Sequence, residues 1–225
     1  MTNVDRATEI FGKVGEKHGY ENVSVEFTAY KQFKIQWSRS YNWIQFRVSD
    51  YIENAPAEIL EDLASALFER IGGKEGMYSE RFCAYILSPE FSQTHAHGFI
   101  KRGRYLSFID ENDQKSLRAS VNRLVDAGLI PEDHNLWFAW NHDTRSDMAS
   151  TYSLLMRTIM VHSDLNNAEI PDEVIDYVIY NQYVHIKEGV RTFNSKEEPN
   201  PREDLKKFPN HDEMEKTLDK MCLAL

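Results

Sequence analysis

Residues Ile170–Gly189, with the sequence IPDEVIDYVIYNQYVHIKEG, have the pattern of one long amphipathic helix around which the other elements can pack. Pro171 suits the first helical position, where its missing N–H costs nothing. Asp172 and Glu173 place negative charge at the positive end of the helix dipole. Gly189 follows the last apolar residue, so the pattern predicts that the helix stops there.

Three polar residues in the middle of this helix lie on or beside its apolar face. That face consists of two neighbouring stripes at helical spacing: Val174, Val178, Asn181 and His185 in one, and Ile175, Ile179, Gln182 and Ile186 in the other. An unpaired buried amide costs roughly 1–3 kcal/mol, so Asn181 and Gln182 require partners. We expect His185 to be a buried, neutral imidazole that bonds Asn181 or a backbone carbonyl.

The segment from Pro171 to Gly189 resembles the active-site helix of SprT-like and related small gluzincin-type zinc metallopeptidases, which carries H-E-x-x-H. In that family the two histidines bind zinc, and the glutamate takes a proton from the metal-bound water. The resemblance places Asn181 at the first histidine, Gln182 at the glutamate and His185 at the second histidine. An asparagine amide is a poor zinc ligand, and glutamine has no ionisable site with which to act as a base.

His185 is therefore the only retained ligand-type residue, and the sequence predicts no catalytic residue and no cofactor, with bound zinc as the alternative. The family places a further ligand beyond the helix, but the polar loop Phe193–Arg202 contains no histidine. Glu197, Glu198 and Glu203 are the only candidates before His211, which we expect to be a surface residue.

The preceding segment, LWFAWNHDTRSDMASTYSLLMRTIMVHSDLNN at 136–167, resembles the two strands before the helix in these enzymes. The matching positions are Trp140, Met148, Ser150, Arg157, Ile159, Val161 and Leu165. We predict strands at Leu136–Trp140 and Leu154–His162. In the family one strand borders the cleft and pairs with an extended peptide, which needs backbone hydrogen bonds and no catalytic group. The alternative is that both are simply core strands.

Composition limits the class of protein. Of 225 residues 41% are hydrophobic and 28% charged, which is ordinary for a globular chain. The net charge of −10 argues against a nucleic-acid-binding or anionic-membrane-binding surface. Cys83 and Cys222 are too few for a disulfide scaffold, so reduced thiols are expected. No apolar run reaches the roughly 20 residues that span a bilayer, and we expect the mixed-charge first residues not to be a signal peptide. We expect a cytoplasmic protein.

The rest of the chain has ordinary helix and strand patterns. Helices are predicted at Thr2–Lys17, Ala55–Ile71, Tyr78–Leu87 and Gln114–Ala127 and after Asn210, which can cap the last helix. Residues 23–48 alternate in three runs, which predicts a three-stranded antiparallel meander. His95 and His97 would lie on one side of a strand as two plain histidines or, alternatively, as metal ligands.

Together these patterns predict an α+β single domain over 1–225, with an N-terminal lobe at 1–112 and a core at 113–225, and the resemblance implies that its fold is zincin-like. Our first functional hypothesis is a catalytically inactive metallopeptidase homologue that binds a peptide or protein, with no nucleic acid and no membrane. The second is a hydrolase that combines His185 with downstream glutamates or with His95 and His97. The third is a regulatory or nucleic-acid-binding module around Gln114–Ile130.

Overall fold

A computed structural model describes residues 2–225, which form a mixed α+β protein with two sheets. Compactness divides the chain into a first unit that ends at Ser88 and a second from Pro89 to Leu225. The segment 89–112, which the sequence assigns to the N-terminal lobe, lies in the second unit because its helix packs against a strand of the second sheet.

The elements of the first unit are α1 (Asn3–Glu16), β1 (Asn22–Thr28), β2 (Ile35–Ser40), β3 (Trp43–Ser49), α2 (Ala57–Ile71) and α3 (Glu80–Ile86). They confirm the predicted helices and the three strands. Phe46 of β3 lies between Phe11 of α1 and Phe68 of α2, with ring centroids 5.1 and 5.3 Å away, so the helices and the sheet share one core.

The predicted meander is wrong, because the strand order is β1-β3-β2, with β1 parallel and β2 antiparallel to β3. β3 is the central strand, and it has the most apolar buried face of the three strands. Its residues Ile44, Phe46 and Val48 are each at most 1% exposed. β2 has no buried residue and lies at an edge. Trp37 and Trp43 are 43% and 42% exposed.

The elements of the second unit are α4 (Pro89–Arg102), β4 (Leu106–Phe108), α5 (Leu117–Asp126), β5 (Trp137–Asn141), β6 (Ser150–Ser153), β7 (Thr158–His162), α6 (Asp172–Thr192), α7 (Arg202–Leu205) and α8 (His211–Lys220). The strand order is β4-β5-β7-β6, and only the β5–β7 pair is parallel. α6 packs against β6, β7, α5 and α8, and its apolar stripes supply much of the core.

Three local predictions in the second unit are wrong. His95 and His97 lie on helix α4, where a two-residue spacing points side chains to different sides. The strand predicted from Leu154 begins at Thr158, after a turn in which Arg157 has a φ of 44°. The side chain of Asn210 makes no cap hydrogen bond, because its backbone is left-handed with a φ of 55°.

The long helix α6 confirms the predicted helix, but it does not stop at Gly189. It continues to Thr192, and a Cβ atom on Gly189 would lie 3.1 Å from Cδ1 of Leu154. The glycine therefore permits a close approach of the chain beyond β6 and does not cap the helix. None of the helices within residues 2–225 combines the length and the apolar character needed to cross a membrane.

Candidate functional site

The polar residues of α6 lie in a seam between that helix and β6. Asn181 and Gln182 are each 3% exposed, which confirms that they belong to the buried face. Gln182 Nε2 donates to the carbonyl of Ser150 at 3.5 Å, a long hydrogen bond. Among residues 2–225, Oδ1 of Asn181 and Oγ of Ser150 are buried without a partner. The seam therefore leaves two buried oxygens unpaired.

His185 closes the seam together with a residue that the sequence did not single out. Its imidazole is half-buried and stacks on the ring of Tyr152, with centroids 5.9 Å apart and planes 15° apart. Burial lowers the pKa of His185 below its ordinary value of 6.5. The imidazole is therefore neutral at pH 7, and the half-exposed Tyr152 ring covers it.

A second polar cluster lies one turn before Asn181. Tyr177 Oη lies 2.8 Å from Nδ1 of His211 and 3.3 Å from Oε1 of Glu215, both on α8. Burial, with the nearby Glu215 carboxylate as a smaller cause, raises the pKa of Tyr177 far above its ordinary value. The phenol stays protonated, so it can donate to the Glu215 carboxylate, or to Nδ1 of His211 in the tautomer that leaves this nitrogen unprotonated.

The prediction that His211 is a surface residue is wrong, because its side chain is mostly buried, with 16% exposed. The sequence did contain a clue, because a tyrosine on a buried helix face needs a partner for its hydroxyl.

The donor chemistry of the seam does not fit a zinc ion. Asn181 and Gln182 offer neutral amides, and His185 alone has a ligand-type nitrogen. Glu197, one of the downstream candidates, bonds Arg191 at 3.0 Å. Within residues 2–225 there is no group of three or more His, Cys, Asp or Glu residues placed to hold a metal ion.

The outer side of β6 is an edge of the second sheet, because β6 pairs only with β7. The N–H of His162 donates to the carbonyl of Ala149 at 2.8 Å. In an antiparallel pair every second residue bonds the partner strand, so this bond shows which residues of β6 face β7. By that alternation Thr151 and Ser153 bond β7, whereas the backbone groups of Ser150 and Tyr152 point away from it. Tyr152, 39% exposed, thus presents its N–H and C=O to the open side, whereas Ser150 is only 2% exposed and its carbonyl accepts from Gln182.

An extended segment already uses the backbone just before this edge. The N–H of Ala224 donates to the carbonyl of Asp147 at 2.7 Å, and the N–H of Ala149 donates to the carbonyl of Ala224 at 2.6 Å. The neighbouring Leu223 is 8% exposed and belongs to the core. This parallel bridge uses residues 147–149, just before β6, and makes no backbone hydrogen bond to Tyr152.

The protein is thus a mixed α+β protein whose second unit has a buried seam between α6 and β6 and a sheet edge at β6. Comparison with models of known families, with curated proteins and with solved structures finds no match for the chain. The likeness of α6 and its preceding strands to SprT-like metallopeptidases stays a prediction from their residues.

Proposed function

We propose that this protein is a non-enzymatic peptide-binding module, an inactive homologue of zincin-like metallopeptidases. It takes an extended segment of a partner protein on the free edge of β6. The observation that carries the proposal is the outward backbone of the exposed Tyr152, next to a segment where Ala224 already pairs. Strand addition gains its affinity from main-chain hydrogen bonds.

The chemistry of the seam favours binding over hydrolysis. Hydrolysis of a peptide bond needs an activated nucleophile and a base that can accept its proton. Gln182 has no ionisable group, and His185 lies beneath the ring of Tyr152. With Asn181 at a ligand position and Gln182 at the position of the base, the protein lacks the side chains that peptide hydrolysis needs.

The geometry also indicates what is recognised. A partner strand can make two backbone bonds to Tyr152, one to its N–H and one to its C=O. Tyr152 is 39% exposed and offers a ring surface for one apolar side chain. The expected ligand is thus an extended peptide chosen by shape and backbone, with one apolar preference.

A pair of substitutions at one position tests the backbone contact. Tyr152→Pro removes the outward N–H without removing a β6–β7 hydrogen bond, whereas Tyr152→Ala removes the ring and keeps the N–H. Among labelled synthetic peptides that bind the unaltered protein, we expect Tyr152→Pro to bind at least about tenfold more weakly than Tyr152→Ala, since tenfold corresponds to about 1.4 kcal/mol. Equal affinities of the two variants, or no binding by any peptide, would contradict the proposal.

Two controls check the assignment of the edge. Thr151→Pro removes a donor that faces β7, so it should lower the melting temperature far more than Tyr152→Pro does. Amide hydrogen exchange at Tyr152 should be fast in the free protein and slow in the peptide complex. Slow exchange in the free protein would show that the edge is already covered.

A further inference from the structure

A groove of about 560 Å³ lies beside α5, at the end of the sheet opposite β6. Its floor is apolar, with five side chains: Ile109, Val121, Val125, Leu136 and Phe138. All of these except Leu136 are only partly buried. The groove therefore exposes apolar surface that the second unit leaves without a cover.

The two faces of α5 explain the groove. Leu117 and Leu124 are at most 2% exposed and belong to the core that α6 completes. Val121 and Val125, one helical turn apart, are only partly buried against that core and also line the groove. α5 is thus apolar on more of its surface than its contact with α6 uses, as a helix with a second partner would be.

The rim of the groove is acidic. Asp126 at the end of α5, and Glu132 and Asp133 before β5, line one part, and Arg118 lines another. A depression of about 480 Å³ shares Ile109 and Arg118 with the groove and extends it along α5. Its further charged residues are Asp110, Glu111, Asp113 and Lys115.

This combined surface contains six carboxylates and two cationic side chains. Ion pairs within the protein neutralise only part of the excess negative charge. Arg157 pairs with Asp133, and Lys115 pairs with Asp172 outside the groove. Phosphate-bearing partners are repelled by such a rim, whereas cationic side chains are attracted.

We propose that this groove binds a basic amphipathic helix of a partner protein, with apolar side chains in the groove and lysine or arginine at its rim. A helix laid in an apolar groove is a common form of peptide recognition. Eight residues of α5 separate Arg118 from Asp126, about 12 Å along the axis. The bound helix therefore places its basic residues near Asp126 and Glu132 and none beside Arg118. The site is separate from the β6 edge and does not depend on the function proposed there.

A designed peptide can test the proposal before a natural partner is known. The probe is an 18-residue peptide of leucine and lysine, with leucine on one helical face and lysine on the other. Two comparison peptides replace lysine with glutamate or leucine with serine. Titration calorimetry should show binding of the leucine–lysine peptide only, because both apolar contact and positive charge are needed. Equal binding of the lysine–serine peptide would overturn the proposal, because it would show attraction by charge alone.

Charge-reversing variants locate the site. Asp126→Lys with Glu132→Lys should weaken binding of the leucine–lysine peptide at least tenfold and create binding of the leucine–glutamate peptide. Glu213→Lys with Asp219→Lys makes the same change of charge on exposed residues of α8, and should leave the affinity within about twofold. Equal losses in the two double variants, or no binding to the unaltered protein, would contradict the groove as the binding site.

Discussion

Oδ1 of Asn181 and Oγ of Ser150 are buried without partners among residues 2–225. The residue pattern of α6 predicted that Asn181 would be buried, but it did not predict that this oxygen would lack a partner. The apolar stripes identify the buried face because helical spacing fixes which side chains share it. The stripes do not identify partners on other elements. That is why Tyr152 over His185, and His211 beside Tyr177, could not be predicted.

Replacing Ser150 by alanine should stabilise the protein. The substitution removes a buried hydroxyl that bonds nothing, and we expect a gain of about 1 kcal/mol in the free energy of unfolding. Ser120 is the matched control, because it is also buried and its Oγ accepts from Arg123 at 2.9 Å. Ser120→Ala should cost about 1 kcal/mol, measured by urea denaturation. Destabilisation by both substitutions would show that the Ser150 hydroxyl has a partner.

The buried His185 should make stability depend on pH. Its pKa in the folded protein is below the ordinary 6.5, so the unfolded chain binds more protons and stability falls as the pH drops through 6.5 towards the folded pKa. The stability of the unaltered protein relative to His185→Gln should therefore decline between pH 7.5 and pH 5, as followed by thermal unfolding. A difference between the two proteins that stays constant over this pH range would contradict the prediction.

At the scale of elements, ion pairs hold the first turns of α6 against α5 and the residues just before it. Arg123 donates to both carboxylate oxygens of Asp176 at 2.8 Å, and Lys115 Nζ lies 2.8 Å from Asp172. From the sequence, the acidic residues at the start of α6 were explained only by their favourable interaction with the helix dipole. It did not predict the cations, because they come from a segment more than fifty residues earlier.

Removing the arginine of this pair should destabilise the second unit. Arg123→Met leaves the Asp176 carboxylate, 7% exposed, without its cation. We expect a loss of about 1–3 kcal/mol, reduced from the value for a fully buried pair because Arg123 is 41% exposed. Adding Asp176→Leu should restore most of the loss. Arg118→Met, on the groove side of α5, should change stability by less than about 0.5 kcal/mol.

At the scale of the whole molecule, local patterns predicted most helices and the mixed α+β class, but not the strand orders. The alternation in residues 23–48 identifies three strands but does not determine their order in the sheet. The central position of β3 depends on its packing against α1 and α2, which the alternation does not describe. β6 is short and polar, and its four residues show no apolar alternation. The candidate edge was therefore missed as a strand although Ser150 was among the residues matched to the family.

Each unit has its own hydrophobic core, which leads to a prediction about autonomy. The fragment from Pro89 to Leu225 contains the whole second sheet and the helices that cover its core. We expect it to unfold cooperatively in urea and to keep near-ultraviolet circular dichroism from its packed aromatic rings. A fragment with helical circular dichroism but no near-ultraviolet signal would show that this core is incomplete by itself.

The positions of the four tryptophans give each unit an optical label. Trp37 and Trp43 are exposed on the first sheet, whereas Trp140 is 1% exposed and donates from Nε1 to Asp113. Emission from the first pair should be red-shifted and quenched by iodide, and emission from Trp140 should be blue-shifted and protected. Melting of the second unit would then appear as the loss of the protected fraction, without any introduced dye.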